Sequence, residues 1–203
     1  ALLFGRAVRA VFLALFPVLL LVAVFAGEGI TLWLGADFAV HGAPVLRWLA
    51  LGVLVNSLAM IPFALVQGIG RPDVTAKLHL VELPFYLAAV LLLIRAHGVE
   101  GAAMAWAGRV TLDAVLLFVA ARALLPERRA AGFLRLGVTM AVGTIVFAVA
   151  FVPLGLAAKG ALSLAALAGF AAAGWRLVLT PDERGLERAR FRRAAAAEDA
   201  HQA

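Results

Sequence analysis

Six apolar runs, near residues 8–27, 44–67, 75–95, 101–124, 134–154 and 160–179, decide what this chain can become. Each approaches the ~20 residues that a helix needs to cross the hydrocarbon core of a bilayer. In hydrocarbon every backbone N–H and C=O must be paired within the protein, and helices do this segment by segment. The expected fold class is therefore an all-α integral membrane protein with six transmembrane helices. With 65% hydrophobic and 15% charged residues, the chain is too apolar for a soluble globule or a disordered one. The first run follows Arg6 and Arg9 as a signal peptide would, but five more runs come after it, and a first transmembrane helix is the simpler assignment. Because the chain opens on Ala1 just ahead of that helix, it is expected to be the later part of a longer protein.

Charge placement orients the bundle. An even number of helices leaves both ends on one side, which receives Arg6, Arg9, Arg71, Lys77, Arg122, Arg128, Arg129, Arg135, Arg176 and the arginines of the tail. The other side receives Arg47, Arg95 and Lys159. Lys and Arg gather on the cytoplasmic side of membrane proteins, so both termini are expected in the cytoplasm. The formal net charge of +6 is thereby explained by topology, and nucleic acid is not expected as a partner. Cysteine is absent, which excludes disulfides and thiolate chemistry. The histidines at 41, 79, 97 and 201 show no metal-ligand spacing, and no metal, cofactor or catalytic residue is expected.

Chemistry is expected within residues 44–125, where the apolar runs hold Asn56, Ser57, Gln67, Glu82, Arg109 and Asp113. A charge placed inside an apolar span costs a few kcal/mol, so such positions are functional candidates by default. Asn56 lies about 18 Å along its helix from Pro44, at ~1.5 Å per residue. Either it makes a helix-to-helix hydrogen bond, or it faces a cavity and meets a polar substrate. Glu82 stands two residues before Pro84 and leans toward its own N-terminus, either snorkelling to the cytoplasmic interface or holding a coupling ion. Arg109 and Asp113 are at i and i+4, within reach of an intrahelical ion pair. That pair either neutralises itself or holds the guanidinium ready for a phosphate. Side-chain lean separates Glu82 from Arg109 and Asp113, and the polar groups are expected at different depths along the bundle.

The remaining expectations are structural. Pro17 should kink the first helix, residues 36–43 should form an outer loop around His41, and Trp33 and Trp48 should anchor the outer interface. Pro62 should bend the second helix, and residues 68–73 should form a tight turn with Asp73 as the next N-cap. Gly68 and Gly70 lack the strand and third glycine of a dinucleotide fingerprint. Residues 98–101 should turn the chain again, with Gly101, Ala105 and Gly108 presenting a small-residue face to a neighbouring helix.

The wording TLWLGADF, then VLRWLALGVLVNSLAMIPFALVQGIGRPDVTAKLHLVELPFYL, then GVEGAAMAWAGRVTLDAVLLF, resembles the second half of bacterial polysaccharide flippases. These are the lipid-linked oligosaccharide transporters of the multidrug/oligosaccharidyl-lipid/polysaccharide exporter superfamily. The resemblance implies two six-helix lobes around a central cavity in the inner membrane. Residues 1–125 would supply the last four helices of the second lobe, 126–179 an accessory helix pair, and 180–203 a cytoplasmic tail helix facing membrane lipids. The missing N-terminal lobe would be the partner, and a glycan linked to an isoprenoid pyrophosphate the substrate. Arg109, with Asp113 and Asn56, would bind that substrate, and Glu82 is the coupling-ion candidate. Two alternatives are a cation-coupled multidrug exporter of the same superfamily and a membrane enzyme acting on polyprenyl-linked substrates. The enzyme would need paired carboxylates or a His–Asp set at a helix end, which the sequence does not offer.

Overall fold

The structure is a computed structural model that describes residues 2–125, 147–152 and 155–173. The described secondary structure is helical throughout: α1 Leu2–Val24, α2 Ala26–Leu34, α3 Ala36–Gly68, α4 Pro72–Leu124, a 3-10 turn Phe147–Phe151, and α5 Leu156–Ala173. Contacts divide the chain into two units, Ala1–Ser163 and Leu164–Ala203. The described part of the second is the end of α5. By length and composition α3 and α4 can each cross a membrane, and the bent pair α1–α2 makes a third candidate. Six spans are not reached among the described residues. Most of the fifth expected helix, over 134–154, lies outside them, as does the tail helix, and residues 147–151 are 3-10 rather than α.

Three features of the first half depart from the sequence expectation. Pro17 sits inside α1 without ending it; the break comes at Phe25, where α2 leaves at 65°. There Arg47 Nε donates to the Ala23 carbonyl at 3.3 Å, a side chain entering the helical ladder at a bend. Second, residues 36–43 are helix and not loop. Gly35 makes the whole connection at φ 94°, a backbone region favouring glycine, and α3 starts at the next residue with Asp37 in its first turn, where a carboxylate suits the helix dipole. Third, α3 runs through Pro44, where the second helix is expected to begin.

The turn after α3 forms where expected, with Gly70 at φ 81°. Pro72 takes the first helical position of α4, suited to its missing N–H. Asp73 is not the N-cap, which is Arg71; its carboxylate instead pairs with Arg71 at 3.0 Å and Lys77 at 3.5 Å. Gln67 Nε2 donates to Thr75 Oγ1 at 3.0 Å and Thr75 Oγ1 to the Pro72 carbonyl at 2.9 Å, which fastens the end of α3 to the start of α4.

Gly98 divides α4 into two arms, residues 72–97 and 99–124, its φ of 60° and ψ of −134° interrupting the helix. The arms run antiparallel, because His79 meets Asp113, Glu82 meets Arg109, and Gly101 lies against the Leu93 backbone. α3 packs on both arms around Val55, Ala59, Val110, Ala114 and Leu117, with Phe63, Leu78 and Trp106 at the margin. The expected small-residue face is present at two of its three positions, Gly101 and Ala105 being buried and Gly108 exposed. At the end near Gly98, Trp48 Nε1 donates to Glu100 Oε1 at 3.2 Å and its ring meets Phe151 at a tilt, 4.8 Å between centroids, while Lys159 pairs with Glu28 at 2.7 Å.

Gly52 lets the Trp106 ring lie directly on α3, and an added Cβ would overlap its six-membered ring. Gly52→Ala should therefore destabilise the protein by about 1–3 kcal/mol, the usual cost of overpacking. Thermal unfolding in detergent should show the loss and its recovery in the double variant Gly52→Ala/Trp106→Leu, since contacting sites couple.

Candidate functional site

Antiparallel closure of α4 assembles one polar cluster inside an otherwise apolar contact. His79 and Glu82, three residues apart on the first arm, share a helix face, as do Arg109 and Asp113 on the second. Nδ1 of His79 lies 3.2 Å from Asp113 Oδ1 and 3.8 Å from Glu82 Oε2. Arg109 Nε stands 3.9 Å from the same Glu82 oxygen. The guanidinium also covers the Tyr86 ring, 5.6 Å from its centroid, a cation–π contact. From α3, Phe63 stacks on the His79 imidazole at 6.2 Å between centroids.

Burial makes these contacts consequential. Glu82 is 2% exposed and Asp113 7%, whereas the Arg109 side chain is 32% exposed. Both Glu82 oxygens, Asp113 Oδ1 and His79 Nδ1 are buried without a hydrogen-bond partner. Charge pairs approaching within 4 Å without hydrogen bonds recover only part of the desolvation of their members. Such unsatisfied buried oxygens are rare in folded proteins, and each calls for a water, an ion or a proton to complete it. A ring nitrogen of His79 and a carboxylate oxygen from each of Glu82 and Asp113 all lie within 4.8 Å of one another, close enough to hold one ion.

The expected separation by depth is therefore corrected: Glu82, Arg109 and Asp113 converge on one cluster, within about one helical turn of each other along the bundle. Arg109 reaches across to Glu82, and Asp113 faces His79, where the sequence suggested a pair within one helix. Lean along the helix axis shifts a side chain by about one turn, whereas the register of the two arms sets its level. Glu82 precedes Gly98 by 16 residues and Asp113 follows it by 15, so equal rise from the turn puts them abreast. His79 was missed, since neither its metal-ligand geometry nor its carboxylate partners are close in sequence apart from Glu82.

Asn56 is not in this cluster. It is exposed on α3, as are Val53 and Met60, and Ser57 bonds back to the Val53 carbonyl at 2.7 Å. A separate groove of about 500 Å³ lies at the elbow of α1 and α2, lined by residues such as Phe25, Ile30, Trp33, Leu46 and Leu49. No charged side chain lines it, so it offers a polar substrate nothing to bind.

No family model matches the chain, and no solved structure matches it. Over 113 residues, 56% of its length, it is 35% identical to a protein of Shigella flexneri named "Putative O-antigen transporter". The aligned segment is 27% of that relative, so the chain corresponds to about a quarter of it. Apolar helices of spanning length together with this likeness support a membrane protein similar, over just more than half its length, to a protein named for O-antigen transport.

Proposed function

We propose that this chain is part of a flippase that moves isoprenoid-pyrophosphate-linked oligosaccharide across the bacterial inner membrane by alternating access, in polysaccharide biosynthesis. The observation that carries the proposal is Arg109, a partly exposed guanidinium on an apolar helix, in a chain similar to an O-antigen transporter. A planar donor fork matches phosphate oxygens, and neighbouring Glu82 and Tyr86 fix its place. Asp113 sits one helical turn farther along the same arm and helps set the charge that Arg109 feels. Asn56, on the exposed face of α3, meets the glycan at a second position. Glu82, buried and unsatisfied, takes the coupling ion.

In this scheme residues 1–125 belong to the second lobe of the transporter, 126–179 form the accessory pair, and 180–203 lie in the cytoplasm beside the lipid surface. A first lobe closes the other side of the cavity. Chemistry on the substrate is not needed, because translocation makes and breaks no covalent bond.

One observation favours a second reading. The buried carboxylates of Glu82 and Asp113 near the Tyr86 ring are what a hydrophobic drug cation would seek, although Arg109 opposes it. Deleting the gene separates the two. Loss of surface polysaccharide with lipid-linked oligosaccharide accumulating on the cytoplasmic leaflet is the expected result, restored by the intact gene. Unchanged surface polysaccharide with raised drug retention would instead establish the exporter.

A further inference from the structure

Glu82 faces two competing claims. On one side stands Arg109, 3.9 Å from Oε2; on the other, His79 and Asp113 offer atoms that could share a positive ion with it. Formal charge tells how much positive charge is wanted. The carboxylates of Glu82 and Asp113 contribute two negative charges and Arg109 one positive, which with neutral His79 leaves the cluster one negative charge in excess. A single added positive charge balances it, whereas a divalent ion leaves an excess of the opposite sign in an apolar setting. Size agrees, since an ion bound at ~2.4 Å from each ligand, within the range seen for oxygen around calcium, bridges atoms up to about 4.8 Å apart.

We propose that the His79–Glu82–Asp113 group takes up one positive charge, as a proton or a sodium ion, and thereby releases Arg109 from Glu82 to bind phosphate. Cation and anion then bind cooperatively through one shared carboxylate. This rests on the proposed role of Arg109 toward pyrophosphate and adds the link that couples it to an ion. With Glu82 ionised and empty, its attraction holds Arg109 against the Tyr86 ring. With Glu82 neutralised, the attraction ends, and the guanidinium, already open to the exterior, directs its donors outward. Coupling of this kind is reciprocal, so pyrophosphate must tighten cation binding by the same factor.

The groups that face Glu82 are His79 and Tyr86 on its own arm and Arg109 and Asp113 on the second. α3 contributes Phe63, and no titratable residue occurs on α3 from Trp48 to its end. Among the described residues of these packed elements, Asp113 is the second carboxylate of the cluster, and it faces His79 at 3.2 Å.

Full-length protein in lipid nanodiscs, with inorganic pyrophosphate as the probe, tests the coupling. In one arm sodium replaces choline at constant pH; in the other pH falls at constant sodium, with Glu82→Gln as the reference for protonation of the probe itself. One arm should raise wild-type affinity at least about fivefold, the lower end of usual allosteric coupling, and the arm that does so identifies the ion. Glu82→Gln should bind as tightly as the cation-loaded wild type and respond to neither ion. Wild-type affinity that moves in neither arm, or a Glu82→Gln affinity that still follows sodium, overturns the proposal. A second measurement is independent of phosphate: phenylglyoxal labelling of Arg109, read by mass spectrometry at one pH, should be faster in Glu82→Gln than in wild type. Equal labelling overturns the lock. Faster labelling without pyrophosphate binding under any ion condition overturns the phosphate role of Arg109, and with it the flippase reading.

Discussion

Gly101→Val is expected to prevent the two arms of α4 from closing and to remove most folded protein from the membrane. A Cβ at residue 101 would meet the carbonyl of Leu93 and the nitrogen of Ile94, which are backbone atoms with no rotamer to change. Overpacking against side chains costs about 1–3 kcal/mol. Against backbone the arms must separate instead, and the contacts among Val55, Val110, Ala114 and Leu117 would be lost with them. A loss of more than about 3 kcal/mol is a large part of the 5–15 kcal/mol that holds a typical domain. Gly108 supplies the control, since nothing lies within 4 Å of a Cβ built there, and Gly108→Val should leave stability nearly unchanged. Detergent-solubilised yield and thermal unfolding of the two variants provide the comparison. A Gly101→Val protein that unfolds within a degree or two of wild type would show that the hairpin closes by another route.

That hairpin also explains what could be read from the sequence. The helical class, the turn at residues 68–73 and the reversal near Gly98 follow from apolar run length and from glycine and proline, all of which act locally. The break at Phe25 does not, because it is stabilised by Arg47, a residue 24 positions from the carbonyl it reaches. Residues 36–43 read as loop because they are a short and more polar stretch between two apolar runs. One glycine at 35 turned out to be connection enough, and the helix passes through Pro44. Among the site residues, Glu82, Arg109 and Asp113 were visible as charges in apolar runs. Their convergence was hidden, because it depends on which residue of one arm faces which residue of the other. His79 carried no apparent burial cost so near a helix start, and became legible only once Asp113 lay 3.2 Å from it.

Replacing Arg109 should eliminate surface polysaccharide export, and the choice of replacement separates its charge from its shape. A charge-assisted hydrogen bond to phosphate contributes roughly 1.5–3 kcal/mol, so losing one such contact slows export about 10–150-fold, and losing the whole donor fork abolishes it. Arg109→Lys keeps the charge but not the fork and should retain an intermediate rate. Arg109→Ala alone leaves Glu82 buried without its nearest cation, and uncompensated burial of that kind costs about 3–5 kcal/mol. A loss of export from the single variant could therefore reflect loss of protein. The double variant Arg109→Ala/Glu82→Gln removes both members of the pair and should recover membrane levels and thermal stability while export stays absent. Glu82→Gln alone keeps the guanidinium and should still bind pyrophosphate, which assigns the missing function of the double variant to Arg109. Surface polysaccharide measured on gels beside membrane protein measured by immunoblot distinguishes these outcomes. Normal polysaccharide in cells carrying the double variant would mean that the substrate is held elsewhere, and that this cluster serves the packing of α4 rather than transport.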